Sequence, residues 1–369
     1  MPVKIVDKAN CTACAACANI CPQNCIAMKP DEQGFCYPQI DVTQCVSCEL
    51  CSAVCPVLTG VRNGIPQIQN LDVYAAYSKD ESVRESSSSG GVFSELAFPV
   101  LRQGGLVAGA GFSNAYEVEH QIVDCEEDLA RLRKAKYVQS KIGLLFREIK
   151  KQLLDGRSVL FSGTPCQVAG LHNYLGKEYK NLILIDLICH SINSPKAYVY
   201  WLKGVEEEYN KNAVQVEFRH KIDGWRKSGW RTKVRFEDGS YTIISKTEGT
   251  FMGGFLKGNL FTRPSCGDCK FKGANRVSDL TIADFWGIPS EINDDKGMSQ
   301  TIVNTPKGRA LFESIQSRIV WYKRNYREVL ENNPMYMQSA VINSNSETFL
   351  CNLGKESFSQ LMNKYFVLP

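Results

Sequence analysis

The chain has 369 residues, of which 44% are hydrophobic and 22% charged, and this composition is typical of a globular rather than a disordered protein. The length predicts two or three domains. A net charge of +4 is too small for a dedicated nucleic-acid-binding protein, and no apolar run is long enough to form a membrane-spanning helix. The first ten residues lack the features of a secretory signal, so we expect a cytoplasmic protein.

Two runs of four cysteines in residues 1–60 share one spacing, and each run ends in Cys-Pro. The first run is Cys11, Cys14, Cys17 and Cys21, and the second is Cys45, Cys48, Cys51 and Cys55. In a reducing compartment, such dense cysteine indicates metal binding rather than disulfide bonds. The spacing is that of bacterial ferredoxins, in which three cysteines of a run bind one 4Fe-4S cluster and the fourth binds the other.

The sequence therefore predicts two clusters with crossed ligands. The first cluster would bind Cys11, Cys14, Cys17 and Cys55, and the second would bind Cys45, Cys48, Cys51 and Cys21. Zinc sites or structural thiols are the alternatives, but they do not explain the duplicated spacing with proline. Two further cysteines of this module, Cys25 and Cys36, are interpreted as packing residues.

After this module a linker is predicted at residues 61–71. Residues 72–155 contain a strand (DVYAAYS), a helix (VFSELAFPVLRQ), a buried strand (LVAGAGF) and a helix over 141–154. Residues 156–330 contain the strands SVLFSG and LILIDLIC around the helix QVAGLHNYL, then an antiparallel meander between 214 and 245. Residues 331–369 are predicted to be helical. Strands that alternate with helices favour parallel pairing, so the predicted fold joins an α+β ferredoxin module to a mixed α/β core.

Four more cysteines are dispersed through the core. Cys166 and Cys189 follow predicted strands, and Cys266 and Cys269 form a Cys-x-x-Cys turn. Because ligands collect at the ends of strands in open α/β sheets, these four thiols are candidates for one site. They would bind a third 4Fe-4S cluster or a tetrahedral zinc ion. Buried structural cysteine is the alternative for the first two.

Several long stretches resemble the coenzyme F420 (deazaflavin) hydrogenase/dehydrogenase beta-subunit family. They lie within about residues 72–345 and are SSSSGGVF (86–93), KYVQSKIG (136–143), LFSGTPCQVAGL (160–171), IDLICHSINSPKAY (185–198), FRHKIDGWRKSGW (218–230) and RPSCGDCKFKGANRVSDLTIADFWG (263–287). The resemblance implies bound FAD, at least one 4Fe-4S cluster in the core, and electron exchange between iron–sulfur centres and a substrate at the flavin. It favours a third cluster over zinc, and it makes residues 72–155 and 156–330 the two parts of a flavin-binding core.

Candidate flavin-binding residues lie in these stretches. A Gly-Gly turn before a helix offers backbone amides to a pyrophosphate, so the candidates here are Ser89, Gly90 and Gly91. The alternative interpretation is a serine-rich loop that only caps the helix. One short segment combines a cation, a ring and two hydrogen-bonding side chains: Lys136, Tyr137, Gln139 and Ser140. A tight turn beside Cys166 adds Gly163, Thr164 and Pro165.

A basic segment with aromatic residues, which includes Trp230, suggests contact with a phosphate or an acidic substrate through Arg219, Lys221 and Trp225. A solvated β-meander is the alternative interpretation of this segment. His190 is a candidate proton donor because its ordinary pKa is near neutrality, although a lone histidine also serves structural purposes.

The expected function is an iron–sulfur flavoprotein oxidoreductase. It would relay electrons between a low-potential donor, such as ferredoxin or a partner subunit, and a two-electron substrate at FAD, and flow in either direction is compatible with the sequence. The alternative is an electron-transfer subunit of a larger complex with no substrate of its own. A redox sensor that loses its clusters is a third, weaker interpretation. Neither nucleic acid nor a membrane is an expected partner, and self-association is compatible with the sequence.

Overall fold

The computed structural model describes residues 5–61, 71–229, 231–246 and 248–366. Most of the predicted linker at 61–71 lies outside the described residues, and so do Trp230 and the last three residues of the chain. None of the helices in the described ranges is both long and apolar enough to cross a membrane.

The cysteine-rich module consists of two short helices and a hairpin. Its elements are α1 (Ala16–Ile20), β1 (Ile26–Pro30), β2 (Cys36–Ile40) and α2 (Leu50–Ala53). The two strands pair antiparallel, with Ile26 opposite Ile40. Gly34, at a φ of 85°, makes the turn between them because glycine adopts a left-handed conformation without steric cost. This is the hairpin expected between the two cysteine runs.

A mixed sheet of eight strands forms the centre of the core. Its strands in chain order are β3 (Asp72–Ser78), β4 (Leu106–Phe112), β5 (Val118–Val123), β6 (Val159–Gly163), β7 (Leu182–Leu187), β11 (Leu280–Asp284), β12 (Ser299–Val303) and β13 (Ile319–Arg324). The spatial order is β13-β3-β12-β11-β7-β6-β4-β5. The four strands from β11 to β4 are parallel, as the alternation of strands and helices predicts, and the flanking strands are antiparallel.

The predicted antiparallel meander is a separate three-stranded sheet. It consists of β8 (Ala213–Phe218), β9 (Thr232–Phe236) and β10 (Tyr241–Ile244), in the order β10-β9-β8. An Asp-Gly turn at Asp238 and Gly239 joins the last two strands, with Gly239 at a φ of 82°.

Helices cover the sheet and form the C-terminal region. They are α3 (Glu81–Glu85), α4 (Val92–Arg102), α5 (Leu145–Leu154), α6 (Pro165–Leu175), α7 (Pro195–Tyr209), α8 (Trp225–Ser228), α9 (Phe251–Leu256), α10 (Pro306–Ser314), α11 (Tyr326–Asn332), α12 (Ser346–Asn352) and α13 (Phe358–Tyr365). The helix predicted over 141–154 begins only at Leu145. Gly143 has a φ of 57°, a left-handed conformation that a right-handed helix cannot contain.

The two faces of the sheet bury separate apolar clusters. Leu96 of α4 and Phe312 of α10 belong to the cluster on one face, and Phe146 of α5 and Val168 of α6 belong to the cluster on the other. Residues of the cysteine-rich module, such as Ala16, belong to this second cluster. The module therefore packs directly against α5 and α6 and shares their apolar core.

Candidate functional site

The two cysteine runs fold into loops with the same backbone conformation. In each run, the residues before and after the second cysteine are left-handed although neither is glycine. The φ angles are 54° and 61° at Ala13 and Ala15, and 54° and 61° at Ser47 and Glu49. Because non-glycine residues rarely adopt this conformation, its recurrence at equivalent positions shows that the duplication in sequence is also a duplication in structure.

The first cavity, of ≈ 400 Å³, is lined by the cysteines of the predicted first cluster. These are Cys11, Cys14, Cys17 and Cys55, and Cys51 also reaches its wall. Burial raises the pKa of Cys14 and raises the pKa of Cys17 to about 12. The charges of neighbouring thiolates add to this effect at both cysteines. Thiolates gathered in such an apolar space repel one another unless positive charge compensates them, and iron ions of a cluster would supply that charge.

The second cavity, of ≈ 330 Å³, is lined by the cysteines of the predicted second cluster. These are Cys21, Cys45, Cys48 and Cys51. Cys25, interpreted from sequence as a packing residue, lines the same cavity, and its Sγ lies 3.4 Å from Cys21 Sγ. Cys48 is exposed, unlike the other fifteen cysteines. Of the three cavities, the second is therefore the one with a solvent-exposed cysteine in its wall.

The third cavity, of ≈ 470 Å³, brings the four dispersed cysteines together. Cys166 lies at the start of α6, Cys189 follows the end of β7, and Cys266 and Cys269 lie in the turn around the 3-10 helix Pro264–Cys266. Strands β6 and β7 are parallel, so their carboxyl ends meet at one edge of the sheet. Burial raises the pKa of Cys166 to about 11 and that of Cys266 to about 12.

The donor sets of the three cavities suit 4Fe-4S clusters, which bind cysteine thiolates. In the part of the chain that the structure describes, no three His, Cys, Asp or Glu side chains are close enough to hold one metal ion together.

The first and third cavities adjoin one another. Thr12 lines both of them, and its buried Oγ1 has no partner among the described residues. Gly170, one helical turn after Cys166 on α6, packs against Cys14, which lines the first cavity. An ideal Cβ on Gly170 would lie 2.8 Å from the Cβ and 2.9 Å from the Sγ of Cys14, so only glycine permits this approach.

His190 lies in the wall of the third cavity beside Cys189. Its Nε2 is 2.7 Å from Asn259 Oδ1, and its ring packs edge-on against Phe255 with 5.0 Å between centroids. Burial lowers the pKa of His190 below its usual value. The ring is thus held in a fixed orientation, and its role as a proton donor stays a prediction.

Several other predicted residues surround the start of α6. Thr164 is the N-cap of this helix, and its Oγ1 is 3.2 Å from Cys166 Sγ. Pro165 lines the third cavity, and Gly163 ends the strand that leads into the helix. Ser140 Oγ accepts a hydrogen bond from Gln167 of α6 at 2.9 Å.

Lys136 lines a different space, which we call the basic cavity, of ≈ 1170 Å³. The other cations in its wall are Arg131, Arg133, Lys134 and Arg235. Lys136 Nζ donates to the backbone carbonyls of Arg131 and Arg133, at 3.2 Å and 2.5 Å. Burial, helped by the charge of Lys134, lowers the pKa of Lys136 to about 7. The wall of this cavity is suited to an anionic ligand.

Ser89, Gly90 and Lys221 meet at the edge of the sheet. Gly90 has no room for a side chain, since an ideal Cβ would lie 2.4 Å from the carbonyl oxygen of Ala76. Its amide donates to Ser299 Oγ at 3.0 Å. Lys221 Nζ donates to the Ser89 carbonyl at 2.7 Å and to two other carbonyls. These groups fasten the serine loop to the sheet, and the Gly-Gly turn is required by close packing.

The same loop is held by two further predicted residues. Gly91 is the N-cap of α4 at a φ of 84°, and Trp225 Nε1 donates to the Ser88 carbonyl at 3.1 Å. Arg219 is buried and donates to Asp284 Oδ2 at 2.5 Å, which leaves its Nη2 without a partner among the described residues. Since Arg219 and Trp225 are both buried, the solvated-meander interpretation does not apply to them.

Tyr137 links the basic cavity to the third cavity. Its neighbour in sequence, Lys136, lines the basic cavity, and its ring lies 5.2 Å from that of Phe255, which in turn contacts His190. Burial raises the pKa of Tyr137. The structure thus distributes the predicted flavin residues among the third cavity, the basic cavity and the serine loop. Gln139 and Ser140 line a further cavity, of ≈ 1910 Å³, whose wall also includes residues of the cysteine-rich module.

Sequence reasoning missed Arg263 and Thr12. Arg263 donates to the carbonyl of Cys11, which lies 252 positions away in the chain, at 2.7 Å. No local pattern reveals such a contact. The only sequence signal is the position of Arg263 at the start of the stretch that contains Cys266 and Cys269.

Family models match three segments of the chain. Residues 10–59 match a 4Fe-4S dicluster domain. Residues 73–145 match the N-terminal model, and residues 156–328 the C-terminal model, of the coenzyme F420 hydrogenase/dehydrogenase beta subunit. Among solved structures, the chain is similar to the F420-reducing NiFe hydrogenase complex from Methanosarcina barkeri at 16% identity and a TM-score of 0.46, over 82% of this chain and 91% of that one. No curated protein matches.

The dicluster domain and the fold define an iron–sulfur electron-transfer protein of an oxidoreductase family. The two beta-subunit models together cover most of the chain. It therefore belongs to the coenzyme F420 hydrogenase/dehydrogenase beta-subunit family, with a 4Fe-4S dicluster domain at the N-terminal side of the family core.

Proposed function

We propose that this chain is an iron–sulfur flavoprotein oxidoreductase with three 4Fe-4S clusters and FAD, which relays electrons between a low-potential donor and a two-electron substrate. The order of the cavities carries the proposal. The second and first cavities share Cys51, and the first and third share Thr12, so the three follow one another from the exposed side into the core. Clusters supply one-electron chemistry and flavin couples it to two-electron chemistry, while the protein positions them.

The cluster ligands follow from the walls of the cavities. The first cluster would be held by Cys11, Cys14, Cys17 and Cys55, the second by Cys21, Cys45, Cys48 and Cys51, and the third by Cys166, Cys189, Cys266 and Cys269. Membership of the beta-subunit family supports a cluster over zinc in the third cavity.

The basic cavity and its surroundings support FAD as the second cofactor. Lys136 and the arginines around it would bind the pyrophosphate. Tyr137 and Phe255 extend from there toward His190 at the third cavity, and this path would bring an isoalloxazine close to the third cluster. The unpartnered Nη2 of buried Arg219 is a further donor that a polar ligand would satisfy.

Electrons would be exchanged with a protein partner at the second cavity. The segment that covers it contains the exposed side chains of Val42, Val46 and Leu50 beside the exposed Cys48. From Lys29 to residue 62 the sequence has no intervening Lys or Arg, whereas Asp41 and Glu49 lie in this segment. An exposed apolar patch of this kind is typical of a protein–protein contact site, and this one lies beside the second cavity.

Anaerobic purification, with iron, sulfide and flavin counted per chain, tests the proposal. Three clusters predict about twelve irons, with one FAD. Cys269→Ser should lose about four irons, whereas Cys125→Ser, at a half-buried cysteine that lines none of the three cavities, should lose none. Lys136→Met should retain the iron and lose FAD. About eight irons without flavin in the wild-type chain would contradict the proposal.

The alternative is an electron-transfer subunit with no substrate of its own, and the description of the family as a beta subunit favours it. The two functions differ in what the isolated chain does. An enzyme oxidises reduced ferredoxin when only a small organic acceptor is supplied. A subunit does so only after its partner chain is added.

A further inference from the structure

Arg263 is a buried cation whose partners are all neutral. Its side chain is 0% exposed. It donates to the Cys11 carbonyl at 2.7 Å, to Gln139 Oε1 at 3.1 Å and to the Cys36 carbonyl at 3.1 Å. Its guanidinium lies 4.3 Å from the ring centroid of Tyr37. No ion pair in the described part of the chain includes it.

The other buried arginines in the described ranges are different. Arg84, Arg219 and Arg276 each pair with a carboxylate, which is Asp294, Asp284 and Asp186 respectively. A charge held away from water is costly unless an opposite charge or a metal site compensates it. The burial of Arg263 among neutral partners therefore indicates an anion nearby that no carboxylate of the described residues provides.

The position of Arg263 shows where that anion would lie. Its side chain lines the third cavity, and its strongest hydrogen bond is to the backbone of Cys11, which lines the first. A 4Fe-4S cluster with four thiolate ligands carries a net negative charge, and its one-electron reduction adds a further negative charge. Arg263 is not in the wall of the second cavity.

We propose that Arg263 is the shared counter-cation of the first and third clusters and, as a positioning residue, raises the reduction potential of both relative to the second cluster. This inference rests on the proposed function, because it requires the third cluster. Each cluster accepts one electron from the donor, and the fixed guanidinium stabilises the extra charge of the reduced form. Its two hydrogen bonds to the carbonyls of Cys11 and Cys36 also hold the ferredoxin module against the core, so the cation stays between the two clusters.

Redox titration of the full chain, followed by EPR under anaerobic conditions, tests the proposal. Arg263→Met should lower the equilibrium constant for reduction of the first and third clusters at least tenfold, which is about 59 mV for one electron. Arg263→Lys keeps the charge and should move both midpoints much less. The second cluster is an internal control and should not move in either variant.

Gln139→Glu is a second test that leaves Arg263 in place. The new carboxylate would replace the amide oxygen that accepts from Arg263 at 3.1 Å, pair with the guanidinium and cancel most of its field. It should therefore lower the same two midpoints, even if Arg263→Met fails to fold. Unchanged midpoints in Gln139→Glu or Arg263→Met, with about twelve irons retained, would overturn the inference alone. A wild-type chain with about eight irons would contradict the proposed function and the shared role together.

Discussion

Gly170 of α6 lies directly against Cys14 of the ferredoxin module, so closely that a methyl group in its place would come within 2.8 Å of Cys14 Cβ. The same helix carries Cys166 one turn earlier. One rigid element therefore sets the separation between the first cavity and the third. The module is fixed to the core at the point where the proposed relay requires the first and third clusters to be close.

Gly170→Ala should push the module away from α6. Overpacking of this kind costs about 1–3 kcal/mol, which exceeds the roughly 0.5–1 kcal/mol that alanine gains over glycine in a helix. We expect a lower thermal midpoint and partial loss of the iron of the first cluster. Both are measured on the anaerobically purified chain.

Gly204→Ala is the matched control. Gly204 also lies within a helix, α7, but it is exposed and nothing lies within 4 Å of an ideal Cβ there. This variant should be as stable as the wild type or more so, with full iron content. If both variants behave alike, the close approach of Gly170 and Cys14 does not constrain the module.

Val46→Glu should slow reduction by a protein donor. Val46 is 61% exposed in the apolar face over the second cavity, and a carboxylate there removes an apolar contact and disrupts docking. We expect a roughly tenfold lower second-order rate with reduced ferredoxin in stopped-flow experiments, and no change with dithionite. Val341→Glu, at a valine that is 78% exposed, should leave both rates unchanged. Equal slowing by both substitutions would show that the donor binds elsewhere.

His120 should make the chain sensitive to acid. It is buried on β5, with its ring stacked on Phe161 and its Nδ1 unpartnered among the described residues, and burial lowers its pKa to about 4. Between pH 6.5 and about 4, the unfolded chain binds a proton that the folded chain does not. The free energy of unfolding therefore decreases as the pH is lowered through this window. His120 contributes up to about 1.4 kcal/mol of this decrease per pH unit.

His120→Gln removes that titration while its amide can still donate to the Ser162 carbonyl, which is 3.2 Å from Nε2 in the native chain. Urea unfolding between pH 5.5 and 7.5 should show a flatter pH dependence in the variant than in the wild type. Parallel curves would mean that folding does not lower the pKa of His120.

The dicluster domain was accessible to sequence reasoning because its two cysteine runs have short, repeated spacings, and the repeated left-handed residues around Cys14 and Cys48 show that each run folds locally. The contact of Arg263 with Cys11 could not be predicted from the sequence, because it joins distant segments and depends on how the ferredoxin module packs against the core. Gly90 illustrates a different limit. A Gly-Gly turn before a helix is typical of phosphate loops, yet this glycine is required because the backbone of Ala76 leaves no space for a side chain.

The parallel centre of the sheet was predicted from alternating strands and helices, but its antiparallel flank was not. Strand β3 lies between β12 and β13, which come more than 200 residues later in the chain. Only long-range pairing decides that arrangement, and periodicity within a strand contains no information about its neighbours.

The most direct test of the relay is the rate of flavin reduction in a chain that lacks only the third cluster. Cys269→Ser, loaded to the wild-type FAD content, is mixed anaerobically with reduced ferredoxin while flavin and cluster absorbance are followed separately. We predict that the two ferredoxin-module clusters are reduced at the wild-type rate while the flavin stays oxidised. Flavin reduction at the wild-type rate in this variant would contradict a path through the third cavity.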